Sequence, residues 1–239
     1  MSSLERDILL ERYRMGEEDL YDTVVELFDQ ALKENPGDPE LYHSRGFIDE
    51  IRGRRLLESA AAFYEKGAEV ARKDPQYFDY VKCDGQLLGV RRALGQLDQS
   101  IEYFKQRISE NPEDLKAYAL LTQAYYLADQ LPEAQKVIEA AYKIDSEHPL
   151  ITYWKGLIYS RLGRLDQALD LMNQTISHDP TFIDARYTLA NLYERLQKLE
   201  EAVEEWQLII AYHREHFPEV SMDWEEEQLA RLKSKMEEH

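Results

Sequence analysis

The chain repeats a proline-containing pattern along its length, and this repetition restricts the possible folds more than any other feature. Asx-Pro pairs occur at Asn35-Pro36, Asp74-Pro75, Asn111-Pro112 and Asp179-Pro180, and Pro149 marks a further junction. The prolines of the pairs are 39, 37 and 68 residues apart, the last interval being two units of 34. Proline cannot donate a helical hydrogen bond and disfavours helical geometry in the residue before it. The pattern therefore predicts a series of similar helical units.

Each unit contains two stretches of helical length with apolar periodicity, separated by a short break. The breaks are Arg52-Gly53-Arg54, Leu94-Gly95-Gln96, Ala128-Asp129-Gln130, Leu162-Gly163-Arg164 and Leu196-Gln197-Lys198. Gly156 and Ala190 stand where the two helices of a hairpin should approach closely, and Ala134, Ala168 and Ala202 should face them from the second helix. The unit is therefore predicted to be a helix hairpin, and stacking of neighbouring hairpins is expected to build the core.

Three consecutive units carry small and aromatic residues at matching offsets. These are Tyr118, Leu121, Tyr125, Ala134 and Ala141; then Gly156, Tyr159, Gly163, Ala168 and Pro180; then Leu189, Ala190, Tyr193, Ala202 and Trp206. The pattern resembles the tetratricopeptide repeat, a 34-residue helix-turn-helix. The resemblance implies an all-α, right-handed α-solenoid of about six repeats in one domain, residues 1–239. The expected repeats are 2–38, 39–80, 81–114, 115–148, 149–182 and 183–216.

A further helix is expected after the last repeat, within residues 218–238, with the helical segment running from about Asp223 to Lys235. Phe217-Pro218 should end the preceding helix, and Leu229, Leu232 and Met236 then follow helical spacing. We expect this helix to cap the last repeat, because terminal repeats need a polar outer face. Trp224 is its expected anchor, and the alternative is a helix for dimerisation or partner docking.

The net charge of the chain argues against two classes of ligand. Among 239 residues, 47 are acidic and 29 basic, a formal charge of −18. This charge disfavours nonspecific nucleic-acid binding and docking on anionic lipid. The acidity is concentrated at the ends, since residues 1–38 carry −7 and residues 200–239 carry −8. The N-terminal segment matches neither a signal peptide nor a membrane span, so a cytoplasmic protein is expected.

The sequence shows no enzyme motif, and no catalytic residue, cofactor or metal is expected. Cys83 is the single cysteine, so it cannot form an intrachain disulfide, and we interpret it as a small buried residue. His213 and His216 could share a helix face, but two histidines are too few for a zinc site. A polar helix end is the favoured interpretation of that pair.

The family resemblance also implies which residues face a ligand groove. In these repeats the first helix of each hairpin lines the concave side through its second, fifth, ninth, twelfth and thirteenth residues. Five of the residues at these positions are basic, whereas only Asp184 and Glu194 are acidic. The groove candidates are Lys82, Arg92, Lys116, Gln123, Tyr126, Tyr153, Leu157, Arg161, Tyr187, Asn191 and Arg195.

This composition favours an acidic peptide, because Arg forms bidentate bonds to carboxylates and Tyr offers a large contact area. The alternative is that Arg161 and Arg195 only stabilise helix ends, and that Tyr153 or Tyr187 packs between repeats. Some family members hold a carboxylate with Lys and Asn four residues apart. Tyr187 replaces that lysine before Asn191, so chaperone binding is not inferred.

Together these features predict a noncatalytic scaffold that binds a protein or peptide in the groove. It is expected to be a monomer or a weak dimer that binds neither nucleic acid nor membrane. The alternative function places binding on the acidic ends, which would dock or neutralise a basic protein, as an inhibitor, immunity protein or assembly factor would.

Overall fold

The computed structural model describes residues 3–53, 57–73 and 82–237, and every regular element in these ranges is helical. The all-α prediction is therefore confirmed for the described residues, whereas Arg54 and the Asp74-Pro75 junction lie outside them. The α-helices are α1 (Ser3–Arg14), α2 (Tyr21–Glu34), α3 (Pro39–Ile51), α4 (Leu57–Lys73), α5 (Lys82–Ala93), α6 (Leu97–Glu110), α7 (Leu115–Leu127), α8 (Leu131–Ile144), α9 (Pro149–Arg161), α10 (Leu165–His178), α11 (Ile183–Arg195), α12 (Leu199–His216) and α13 (Asp223–Glu237). A short 3-10 turn, Glu18–Leu20, precedes α2.

Side-chain caps explain where several first helices begin. The Asp38 carboxylate accepts a hydrogen bond from the backbone N–H of Glu40, and Pro39 is the first residue of α3. Asp114 likewise accepts from the N–H of Ala117 at 2.9 Å. These caps satisfy N–H groups that have no partner within the helix. The boundaries are therefore encoded by the residues beside each junction.

The breaks inside the hairpins use the left-handed backbone conformation. Gly95 and Gly163 have φ values of +71° and +76°, while Asp129 and Gln197 adopt +59° at equivalent positions. A left-handed residue ends a helix and redirects the chain, and glycine adopts it without steric cost. Gln197 has a Cβ and is therefore sterically strained in this conformation. Its side chain donates a hydrogen bond to the carbonyl of Glu194.

Unit 1 comprises α1 to α7 and ends at Asp129. In the hairpin of α3 and α4, a Cβ added to Gly46 would come 2.8 Å from the Tyr64 ring, so only glycine allows the observed approach. Cys83 is fully buried in the same core, as expected for a small buried residue. The first helices α3, α5 and α7 pack side by side in sequence order.

Unit 2 begins at Gln130 and comprises α8 to α13. In the hairpin of α9 and α10, a Cβ on Gly156 would lie 2.5 Å from the Met172 methyl carbon. In the next hairpin, Ala190 and Ala202 are fully buried against Trp206. The small residues therefore lie at close helix contacts, as the sequence predicts.

The C-terminal helix is shorter than the predicted range. Helix α12 ends at His216 with Phe217 as its cap, but α13 begins only at Asp223. Residues 218–222 form a turn in which the N–H of Val220 donates to the carbonyl of Phe217. Helix α13 agrees with the helical segment expected from about Asp223 to Lys235, and residues 218–222 of the wider range form the turn between α12 and α13, which pack on each other.

Candidate functional site

The first helices of unit 1 present one continuous side, which we call the first-helix face. Lys82 of α5 lies 3.2 Å from a carboxylate oxygen of Glu40 of α3, and the Gln123 amide of α7 donates to the carbonyl of Gly85 of α5 at 3.2 Å. These two contacts join three helices at predicted groove positions. The face is defined by Glu40, Lys82, Gly85, Gly89, Arg92, Lys116, Gln123 and Tyr126.

The middle helix of this face exposes its backbone. Gly85 and Gly89 lie one helical turn apart on α5, and a Cβ on Gly89 would meet no atom within 4 Å. A Cβ on Gly85 would come 3.2 Å from the side-chain oxygen of Gln123. Because Gln123 covers Gly85 while the space beside Gly89 is open, the main chain of a bound segment can approach α5 closely at Gly89, next to the Gln123 amide.

Two of the three predicted cations on this face lie beside carboxylates of the fold. Lys82 pairs with Glu40, and the Lys116 ammonium lies 3.7 Å from the carboxylate of Asp84, which is almost fully buried. Burial is the main cause of a lowered pKa at Lys116. Arg92 is exposed, and its side chain makes no hydrogen bond or ion pair with the described residues. Arg92 is thus the cation on this face that remains available.

The carboxylates beside these two lysines were missed by the sequence analysis. Glu40 is the second residue of the repeat that begins at Pro39, just as Lys82 is the second residue of the repeat that begins at residue 81. Reading α3 in the same register would have placed Glu40 beside Lys82. Asp84 had no comparable signal, because its pairing with Lys116 depends on how α5 and α7 pack.

The predicted groove residues of unit 2 differ from those of unit 1 in their contacts. The Tyr153 ring lies 4.8 Å from the ring of Phe182, and both Tyr153 and Leu157 pack against the core of α10 and α11. Arg195 donates a 2.7 Å hydrogen bond to the hydroxyl of Ser160, while Arg161 is exposed at the end of α9. The structure therefore gives Tyr153 and Leu157 a packing role.

Helix α13 lies against two of the remaining groove positions. The Tyr187 hydroxyl donates to Glu225 at 2.8 Å, and Arg231 forms an ion pair of 2.7 Å with Glu194. Asn191 is exposed, and its side chain donates to the carbonyl of Tyr187 in its own helix. The fifth and twelfth positions of α11 are thus already in contact with the chain's own C-terminal helix.

Other sites for chemistry are sparse in the part of the chain that the structure describes. Those residues contain no group of three or more His, Cys, Asp or Glu side chains placed to hold a metal ion, and His216 instead stacks on Tyr212. A crevice of about 550 Å³ lies between α4, α5 and α6. Its charged walls are internally paired, Arg91 with Glu65 and Arg72 with Asp84.

None of the described helices is both long enough and apolar enough to cross a membrane.

Comparison with known proteins agrees with the repeat pattern. A family model described as tetratricopeptide repeat matches residues 91–153 and 159–222, and a second model of the same description matches 123–184. Human tetratricopeptide repeat protein 13 is 20% identical over 174 residues, which is 73% of this chain and 20% of that protein. Hsp70-Hsp90 organizing protein 1 of Glycine max is 24% identical over 161 residues, 67% of this chain and 25% of that protein.

A solved structure shows the same fold. A thermophilic tetratricopeptide repeat protein of Thermus thermophilus matches with a TM-score of 0.57 and 20% identity, over 81% of this chain and 98% of that one. The chain spans only a quarter or less of the two curated relatives named above. Because the first family model alone covers more than half of the sequence, the chain belongs to the tetratricopeptide repeat family.

Proposed function

We propose that this chain is a noncatalytic scaffold that binds an extended segment of another protein on the first-helix face of unit 1. The observation that carries the proposal is the open backbone of α5 at Gly89, next to the Gln123 amide on Gly85 and to Arg92, which has no partner among the described residues. A bound main chain can lie against this backbone, and an amide can bond its peptide groups. No cofactor takes part in this function.

An acidic or carboxylate-bearing segment fits this face best. Arg92 offers a planar guanidinium with five donors, which suits bidentate bonding to a carboxylate. Lys82 is paired with Glu40, and Lys116 is largely buried beside Asp84, which it shares with Arg72, so one carboxylate placed near the exposed Arg92 is the expected requirement rather than a run of acids. The name of the soybean relative, an organizing protein for Hsp70 and Hsp90, supports a role in protein binding. We place this function in the cytoplasm, with the protein acting as a monomer or weak dimer.

A site-directed crosslinker tests the face directly. Cys83 is fully buried, so Gly89→Cys provides the accessible thiol for a photoactivatable reagent. We expect this position to crosslink a discrete set of partner proteins in a lysate. Leu208→Cys is the control, because Leu208 is 47% exposed on the second helix α12.

A charge reversal then tests the residue that selects the ligand. Adding Arg92→Glu to the Gly89→Cys variant should abolish the crosslinks, whereas adding Lys136→Glu should leave them, because Lys136 is exposed on the second helix α8. The same proteins crosslinked from positions 89 and 208, or crosslinks that survive Arg92→Glu, would contradict the proposal. Circular dichroism of each variant checks that the helices are intact.

A further inference from the structure

An exposed tryptophan stands at the start of the C-terminal helix. Trp224 is 49% exposed, although its ring packs edge-on against Trp206 at a centroid distance of 5.3 Å and lies 6.4 Å from the Tyr187 ring. These contacts hold the ring in one position while half of its surface stays in solvent. An indole held in this way is a favourable partner for a cation, because the face of its π-system carries negative charge.

A buried carboxylate with an unpartnered oxygen lies in the same cluster. Glu225 is only 7% exposed, and one of its oxygens accepts the hydrogen bond of the Tyr187 hydroxyl. Its second oxygen has no hydrogen-bond partner, and no basic side chain among the described residues pairs with it. Because a buried carboxylate without a basic partner is costly, a cation bound on the surface beside Glu225 would be attracted by its charge without touching this oxygen.

The carboxylates around Trp224 add to the negative charge. Asp223 and Glu227 flank the tryptophan on α13, are exposed, and make no ion pair with the described residues. The nearby Arg214 is already paired with Glu226. The segment from residue 200 to the end has a formal charge of −8. We call Asp223, Trp224, Glu225 and Glu227 the C-terminal surface.

We propose that the C-terminal surface binds a lysine- or arginine-rich segment of another protein. One cation of that segment lies against the exposed part of the Trp224 ring, its neighbours pair with the exposed Asp223 and Glu227, and the buried charge of Glu225 adds to the attraction. The negative charge repels nucleic acid and anionic lipid, so a basic polypeptide is the fitting occupant. This surface differs from the first-helix face in position and in charge preference, so the scaffold has two sites for chemically opposite ligands.

A designed peptide provides the first test with the full chain. We expect a 15-residue peptide that alternates Lys with Gly and Ser to bind and to change the tryptophan fluorescence, whereas the same peptide with Glu in place of Lys does not. Binding should weaken by roughly tenfold when the salt concentration rises from about 50 to 300 mM, because exposed charge pairs are screened. Equal binding of both peptides, or no binding of the basic one, would overturn the proposal.

A matched pair of double variants tests the location. Asp223→Lys with Glu227→Lys should weaken binding at least tenfold. Asp22→Lys with Glu26→Lys is the control, because these exposed carboxylates have the same spacing at the start of α2 and the same change in net charge. If the two double variants weaken binding equally, the attraction belongs to the whole acidic chain and the proposal fails.

Two conservative variants test whether Trp224 and Glu225 contribute to peptide binding while leaving the fold intact. Trp224→Leu keeps an apolar contact with Trp206 and should lower the affinity severalfold and abolish the fluorescence response. Glu225→Gln keeps an oxygen for the Tyr187 hydroxyl, removes the charge, and should lower the affinity with little change in the melting temperature. An unchanged affinity in both variants would refute the assignment. Arg92→Glu should leave binding of the basic peptide intact.

Discussion

The first helices of units 1 and 2 occupy equivalent repeat positions but present different surfaces. In unit 1, helix α5 carries Gly85 and Gly89 and exposes backbone at Gly89. In unit 2, the equivalent positions on α9 carry Tyr153 and Leu157, and both are partly buried against the core of α10 and α11. Side-chain size at these two positions therefore decides whether the backbone of a first helix is left open or covered by packing.

The C-terminal helix α13 adds to this difference between the two units. Tyr187 and Glu194 of α11 stand at groove positions, yet both are engaged by α13 through Glu225 and Arg231. Within unit 1, by contrast, the side chain of Arg92 has no such partner among the described residues. A groove position of a first helix can therefore contact a ligand only if no later helix of the chain already contacts it.

The largest expected effect comes from removing the anchor of α13. Leu232 is fully buried against Ala190, Leu199 and Trp206. Leu232→Ala should lower the free energy of unfolding of unit 2 by about 3 kcal/mol, since it removes buried apolar surface and leaves a cavity. It should also increase hydrogen exchange in α13. Urea denaturation measures the first effect, and Leu208→Ala on the exposed side of α12 should change stability by less than about 0.5 kcal/mol.

The second expected effect is a loss of folding stability in unit 1 at acid pH. Burial on α3 lowers the pKa of His43 to about 4, with Glu40 and Lys82 as its nearest charges. The unfolded histidine takes up a proton near pH 6.5, before the folded one does, so stability falls as the pH drops from 6.5 to 4. The full loss is roughly 3 kcal/mol.

The histidine effect is measured as a difference between variants. His43→Phe should remove this part of the pH dependence between pH 6.5 and 4, and His216→Gln on the exposed end of α12 is the control for loss of a histidine. Hydrogen exchange at several pH values shows which helices open first. If α9 to α12 open before α3 and α4 as the pH falls, the assignment to His43 is wrong.

The third prediction compares equivalent glycines in the two units. Gly46→Ala brings a methyl group against the Tyr64 ring and should cost about 2 kcal/mol, whereas Gly156→Ala meets the flexible end of Met172 and should cost about 1 kcal/mol. A ring in a packed core cannot move as readily as a methionine methyl group. Thermal denaturation of both variants gives the order, and equal losses would show that Met172 is as constrained as Tyr64.

The smallest expected effect has the opposite sign. Gly89→Ala on the open first-helix face should stabilise unit 1 by about 0.5 to 1 kcal/mol, because alanine favours helix and the added methyl group meets no atom. Denaturant titration measures the gain. A loss of stability would mean that the face is closed at this position, which would remove the basis of the proposed peptide site.

Much of the fold could be predicted because its signals are local. Helices begin at Pro39 and Pro149, the first residues of two expected repeats, and the breaks at Gly95 and Gly163 contain left-handed residues. Small residues such as Gly156 marked close helix contacts correctly. The C-terminal helix begins at Asp223, where the carboxylates and apolar spacing of its own first turns predict it.

The candidate site was predicted less completely. Family positions placed Lys82 and Lys116 on a common side, but their charges were counted without Glu40 and Asp84. Tyr187 was expected to contact a ligand or to pack between repeats, and the structure shows its hydroxyl bonded to Glu225, 38 residues later. Partners so distant in sequence leave no local pattern.

The sequence by itself determined the helices, their breaks and the family, because capping, left-handed turns and helix contacts at small residues depend on neighbours within one hairpin. Only the tertiary structure decided which groove residues are available. Whether a cation such as Lys82 or Arg92 stays unpaired depends on side chains brought together across helices. The packing of α13 likewise created the C-terminal surface, because it buried Glu225 while leaving Trp224 half exposed.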